Sequence, residues 1–492
     1  MDDLVDYCNR GDLAGLQARC RGAVTAADVR RLWLLHEACK DGHLVVAQWL
    51  YTAFQLTTAD ARAHDNCALH DACAYGHLAV ARWLRATFQL TDADARANDT
   101  FSCACEHGHL AVAQWLYITF QLTAEDARAD DNHALREACE NGHLAVVQWL
   151  HATFHLTTSD ARANGNQALR EACAYGHLAV AQWLYATFQL TAEDVRTDGN
   201  LILFDVCYCG RLATAQWLHA TFHLTAEDAR TSECAALNAA CENGHLAVAQ
   251  WLHATFAFTA DDMRACYASA LWKACKWGHL TVAQWLHATF GPAFRGTPAD
   301  VNADELMSIA CALGYLDIVQ WIYETFTLVA SKRAKLAMVL VHACGNGHLS
   351  VAQWICTTYG FTADDEKATL RRVMFSADDA RAEYTALRRA YAGGHLSILC
   401  WLQRTWGLPP AALAVTLTDP PPQETACTDY LRGLHQLRWS PRTHPEYPLA
   451  TRRLALHLLL VYQRLRDPGG SDTLPYLPPE LWLYILSYLP AW

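Results

Sequence analysis

Apolar residues recur along this chain in two alternating helical registers. Between Asn66 and Asp99, Leu69, Ala72 and Cys73 fall at i, i+3 and i+4, the spacing of one buried helical stripe. After Gly76 and His77, the residues Leu78, Val80, Trp83, Leu84 and Phe88 mark a second, longer amphipathic helix. The pair repeats with Gly11, Gly42, Gly76, Gly108, Gly142, Gly176, Gly210, Gly244, Gly278, Gly314, Gly347 and Gly394, at steps of 31, 34, 32, 34, 34, 34, 34, 34, 36, 33 and 47 residues. Periods of this length belong to stacked-repeat architectures. Small residues such as Ala72 and Cys73 let the first helix approach its neighbours closely, while the bulky residues of the second fill a wider outer layer. The pattern predicts an all-α helical-repeat solenoid over residues 1–405.

Three further residues keep the same register. A cysteine lies three positions before each glycine except the last: Cys8, Cys39, Cys73, Cys105, Cys139, Cys173, Cys207, Cys241, Cys275, Cys311 and Cys344. Equivalent positions on stacked helices lie about 8–10 Å apart, beyond the ~7 Å reach of a disulfide, so these thiols read as reduced core residues and not as bridges or metal ligands. Tryptophan recurs in eleven units, Trp49 to Trp401, on the apolar stripe of the second helix, and reads as core. Histidine follows nine of the glycines, His43 to His395, where its ring can bond backbone groups exposed at helix ends. Between units stands Thr-x-x-Asp, at Thr57/Asp60, Thr91/Asp94, Thr123/Asp126, Thr157/Asp160, Thr191/Asp194, Thr225/Asp228, Thr259/Asp262 and Thr362/Asp365. A hydroxyl with a carboxylate three residues on is close to a capping box, so each unit is expected to hold a short third helix.

Composition narrows the function. A net charge of −12 argues against nucleic acid or an anionic membrane as the partner. No apolar stretch reaches the ~20 residues of a membrane span, and the start MDDLVDYCNRGD lacks a secretory signal, so the chain is expected inside the cell. No phosphate loop, nucleophile elbow or non-repeating acid, base and nucleophile cluster stands out. The reading is a non-enzyme with no cofactor, no metal and no small-molecule substrate.

The string A-L-H-x-A-C-x-x-G-H-L-x-V-x-x-W-L resembles the ankyrin repeat. It departs from it in carrying Ala68, Ala134 and Ala168 where that family has proline, a tryptophan for the first leucine of the closing pair, and Thr-x-x-Asp in place of the glycine-rich hairpin. Repeats in this style are similar to those of large DNA viruses of amoebae and of some protists. The resemblance implies a protein-binding solenoid from a viral or protist source, expected in the cytoplasm, that of the host if viral, with the nucleus open as an alternative.

Prolines 409, 410, 420, 421, 422, 441, 445 and 448 mark a linker at 406–450. An apolar helix is expected over Arg452 to Arg466, and then Leu477-Pro478-Pro479-Glu480-Leu481 opens a helix whose stripe is Leu481, Ile485, Leu486 and Leu489. Segment 451–492 resembles the opening of an F-box, L-P-x-E-L-x-x-x-I-L-x-Y-L-P, and poxvirus ankyrin proteins carry a shortened segment of this kind. The resemblance implies docking on a Skp-type adaptor of a cullin-RING ubiquitin ligase through Leu477, Pro478, Glu480, Leu481, Ile485, Leu486 and Leu489. A weaker likeness to a SOCS box, and a plain capping helix, stay open beside it.

Two functions remain: a substrate-recruiting ligase subunit, or a binding scaffold with no ligase link. In ankyrin units the residue five before the glycine faces the concave side. Here those positions are Glu37, Asp71, Cys103, Glu137, Glu171, Asp205, Ala239, Lys273, Ile309, His342 and Arg389, acidic in the first half, with Glu106, Glu140 and Glu242 extending the face. Around Gly278 the pattern changes to Trp272, Lys273, Lys276 and Trp277, types enriched at binding hot spots.

Overall fold

A computed structural model describes residues 2–21, 24–264, 266–294, 302–326, 333–361 and 385–406. These form an all-α helical-repeat solenoid, with no strand among the described residues. Contacts divide the chain into two units, Met1–Asp300 and Val301–Trp492. The first contains the repeats centred on Gly11 to Gly278, the second those on Gly314, Gly347 and Gly394.

Each repeat is built as its sequence dictates. The first helix of one repeat lies within Ala63–Ala74 and the second is Leu78–Phe88. Gly76 separates them at φ +83, where a residue with a Cβ is strained. The amide of Gly76 bonds Cys73 O at 3.2 Å and that of His77 bonds Ala72 O at 2.7 Å, the paired closure of a Schellman turn. First helices pack mainly on the first helices of adjacent repeats, and each also packs on its own second helix. Leu69, Ala72, Cys73, Val80, Ala81 and Leu84 are buried, and the positions equivalent to them form the core along each unit.

All eleven in-register cysteines are buried, and none is bridged by a disulfide. The short third helix is present as well. Thr58–Ala61, Asp92–Arg96, Thr158–Ala161 and Ala260–Met263 each follow a threonine that exchanges bonds with an aspartate three residues on. Elsewhere it runs into the next first helix, as in Ala124–Glu140, with a kink at Ala129 to Asn132. Thr362 and Asp365, the linker from 407 on and the segment holding Leu477 to Leu489 lie outside the described residues.

The tryptophans correct the expectation of a core role. Trp49, Trp83, Trp115, Trp149, Trp183, Trp217, Trp251, Trp285, Trp321, Trp354 and Trp401 are all only half-buried. The leucine or isoleucine after each of them fills the interior, while the indole lies at the rim and in ten of the eleven meets the aromatic ring five residues on edge to face. Trp83, for example, packs on Phe88 at 5.6 Å and on Tyr51 of the preceding repeat at 6.1 Å. An indole is too large to bury beside close-packed first helices, and the rim gives it an aromatic partner instead.

Candidate functional site

Two ladders fix how successive repeats meet in the first unit, and so set the spacing of the surface they display. The first is ionic. Asp94 accepts the amide and hydroxyl of Thr91 on Oδ2, at 2.6 and 2.8 Å, and a bidentate fork from Arg62 of the preceding repeat at 2.7 and 2.8 Å. The same fork joins Arg30 to Asp60, Arg96 to Asp126, Arg128 to Asp160, Arg162 to Asp194 and Arg196 to Asp228, while Arg230 pairs with Asp262 by charge at 2.7 Å and donates its Nη2 to Phe256 O. Planar guanidinium matches carboxylate in two parallel bonds, so each fork sets orientation as well as distance. The spacing argument found the capping aspartates but missed the arginines two residues after them, although Asp-x-Arg recurs with the box.

The second ladder runs through the turn histidines. His43 Nε2 lies 2.9 Å from Asn9 O of the preceding repeat, and His245 Nε2 lies 2.9 Å from Tyr208 O. In the second unit His348 meets Ala312 O and His395 meets Gly345 O, both at 3.0 Å. Arg211, which stands where the others have histidine, donates to the homologous Ala174 O at 3.3 Å. Burial, first among the causes, holds His109 and His143 below the usual imidazole range, so the ring is a neutral donor. The preceding glycine leaves room for it: a Cβ on Gly142 would stand 2.3 Å from His177 Nδ1. These histidines are structural, as their register implies.

The candidate binding residues line the first helices. Glu37, Asp71, Glu137, Glu140, Glu171, Asp205 and Glu242 are all half-buried. Asp71 lies 2.7 Å from His36 Nε2, Glu137 lies 3.2 Å from His133 Nδ1, and Arg170 reaches Asp205 at 3.5 Å and Glu171 at 3.7 Å. Burial raises Glu137, with His133 opposing the rise, and burial likewise raises Asp205 against the pull of Arg170. These carboxylates therefore hold their charge at a cost, which an added cation would relieve.

At Gly278 the character changes. Lys276 Nζ stands 5.0 Å from the ring centres of both Trp272 and Trp277, a cation held between two indoles. Lys273 bonds Glu242 at 2.7 Å, joining the acidic stretch to the aromatic one. Trp277 is 51% exposed, and Tyr75, Tyr175 and Tyr208 are nearly as open at the same ends of their first helices. Tyr75 and Tyr175 stand directly before the turn glycine, as Trp277 does, and Tyr208 one residue earlier; a lone aromatic there has no charge pattern to single it out in the sequence. Tyr175 also bonds the Glu140 carboxylate, whose charge raises the phenol.

Among the described residues no cluster of histidine, cysteine and carboxylate is arranged for a metal, and no helix is long and apolar enough to cross a membrane. Compared with known families, residues 101–194 match the model for ankyrin repeats (3 copies). No curated protein matches the chain.

Proposed function

We propose that the acidic first-helix face and the aromatic patch beside it form one surface for a protein partner, and that segment 477–489 links this scaffold to a ubiquitin ligase. Ankyrin repeats are protein–protein interaction scaffolds, and this chain carries three of them in residues 101–194. The observation that carries the proposed surface is the pairing of half-buried carboxylates, Glu137, Glu140, Glu171 and Asp205, with exposed aromatics, Tyr175, Tyr208 and Trp277. Of the cations on those helices, Arg170 bonds Glu171 and Asp205, while Arg136 bonds backbone carbonyls and His133. The excess charge is negative and the aromatic faces attract cations. The target class is therefore a lysine- or arginine-rich protein segment.

The ligase link rests on the likeness of Leu477, Pro478, Glu480, Leu481, Ile485, Leu486 and Leu489 to the opening of an F-box. Burying Ile485 and Leu489 in an adaptor groove is worth about 1.5–3 kcal/mol each. Two purified-component titrations test the reading. A lysine-rich peptide should bind the full chain at low salt and lose affinity in Glu137→Gln with Glu171→Gln, while an acidic peptide should not bind. A purified Skp-type adaptor should bind the full chain and not Ile485→Asp with Leu489→Asp. Equal binding of both peptides removes the basic-target reading. Failure of the adaptor alone leaves a scaffold without a ligase.

A further inference from the structure

Nine of the twenty cysteines stand outside the repeated position, and two of these meet across a repeat interface. In four of the described repeats the first helix is entered through a left-handed turn of three residues, such as Asp130, Asp131 and Asn132 at φ +49, +56 and +61. The third residue turns inward: Asn66, Asn132, Asn166 and Asn200 are buried. Asn166 Nδ2 donates to Asp194 O of the next repeat at 3.1 Å, and Asn200 Nδ2 to Asp228 O at 3.2 Å. In the following repeat this place is taken by Cys234, whose thiol donates to the homologous carbonyl, Asp262 O, at 3.7 Å.

The next repeat departs at the first position of the turn. Asp130, Asn164 and Ser232 are left-handed there and exposed. Cys266, the equivalent residue, has φ −117 and is only 2% exposed. Its thiol is thereby turned to the same carbonyl, Asp262 O, at 3.9 Å, and to Met263 Sδ at 3.7 Å, so the sulfurs of Cys234 and Cys266 converge on one oxygen. This pair occurs where one repeat has replaced asparagine by cysteine and its neighbour has abandoned the left-handed turn.

We propose that Cys234 and Cys266 are an oxidisable dithiol that closes to a disulfide joining two adjacent repeats. The oxidant is a small hydroperoxide. The Cys234 thiolate attacks the peroxide, an S–O bond forms as O–O breaks, and water leaves. Cys266 sulfur then attacks the sulfenic sulfur, S–S forms as S–O breaks, and its proton departs with a second water. Two thiols and one hydrogen peroxide give one disulfide and two waters. Cys234 is the attacking group because its thiol meets one acceptor, Asp262 O, whereas that of Cys266 is turned to both Asp262 O and Met263 Sδ. The resulting covalent tie crosses the same interface as Lys273 to Glu242, so oxidation fixes the spacing beneath the patch formed by Trp272, Lys276 and Trp277.

The experiment is hydrogen peroxide titration of the full chain, followed by alkylation under denaturing conditions and non-reducing peptide mass analysis. The expected product is a Cys234–Cys266 peptide pair lacking two hydrogens, restored by dithiothreitol, with Cys207 and Cys241 still alkylated and a higher urea midpoint for the oxidised protein. Cys234→Asn restores the residue of the other repeats; it should fold with an unchanged helical signal and show no oxidative rise in midpoint. The proposal is overturned if both thiols remain alkylatable at a dose that oxidises Cys20 or Cys67, if either is found bridged elsewhere, or if Cys234→Asn keeps the rise.

Discussion

Replacing Asp94 by asparagine tests the ionic ladder, because the two side chains have one shape and both cap a helix well. The carboxylate is 7% exposed and takes four bonds, two from Thr91 and two from Arg62. The Arg62 bonds are the largest cause of its acidity, burial pulls the other way, and the bonds from Thr91 add to the fall, so the carboxyl sits at about 2 against an ordinary 3.8. A folded-state value below the unfolded one means that the unfolded chain binds the proton first as pH falls. The contribution is therefore complete above about pH 4 and is lost on descending to about pH 2. A depression of this size corresponds to roughly 2 kcal/mol; Arg62 is 42% exposed and water screens it, which leaves about 1 kcal/mol. Asp60, Asp126, Asp160, Asp194, Asp228 and Asp262 are depressed in the same direction; in Asp160, Asp194 and Asp262 burial is the largest influence and is outweighed by the arginine and threonine bonds together. Urea denaturation followed by circular dichroism, from pH 6 to 2.5, should show Asp94→Asn about 1 kcal/mol less stable at pH 6, with most of that difference gone by pH 2.5. A difference that stays constant with pH would refute the argument, since it would mark a packing defect and not a lost charge.

Gly142→Ala places a Cβ at φ +77 against His177 and should cost about 2–3 kcal/mol, from the left-handed backbone and the displaced histidine bond. Gly360→Ala, at φ +58 with nothing within 4 Å, should cost only about 1 kcal/mol; equal losses in the two urea midpoints would remove the ring from the account. Trp183→Ala should cost about 2–3 kcal/mol, below the ~3–5 of a fully buried indole, since Trp183 is half-buried with edge contacts to Phe188 at 5.8 Å and His151 at 5.5 Å. Burial pushes the Cys241 and Cys275 thiols up to about 12, so neither should react with iodoacetamide at pH 8 before half-buried Cys20 and Cys209, as read by mass analysis over time.

The repeat was legible because a stack imposes the same demand at every step. Glycine before the histidine, cysteine three residues earlier and the capping threonine each answer one local problem, and the problem returns in each unit at nearly the same spacing. What escaped depends on a neighbour. Arg62 has no partner within its own repeat, and its meaning appears only when Asp94 is brought beside it. Asn166 and Asn200 likewise look like loop residues until their amides find carbonyls in the next repeat. The tryptophans were misplaced for a related reason: helical periodicity marks the apolar side but does not say how deep a given side chain can sit. Trp83 and Leu84 share that side, yet only Leu84 is small enough for the interior.

The first unit therefore keeps two kinds of carboxylate under different conditions. Asp94 and its equivalents are held by arginine and threonine and lie below their ordinary range, so a further cation would compete with bonds already made. Glu137 and Asp205 are partly desolvated, incompletely neutralised and raised. A basic segment laid on the second set gains by removing an existing cost, whereas one laid on the first would have to displace a bidentate fork. The same chain thus holds its repeats together with one row of acids and leaves another row free to act, and the affinity of a lysine-rich ligand should weaken as pH falls toward the raised range of Glu137 while the ladder beneath is still intact. Should that affinity instead hold constant as pH falls and be lost only when the repeats themselves unfold, the first-helix carboxylates would not be the contact, and the exposed aromatics alone would carry the surface.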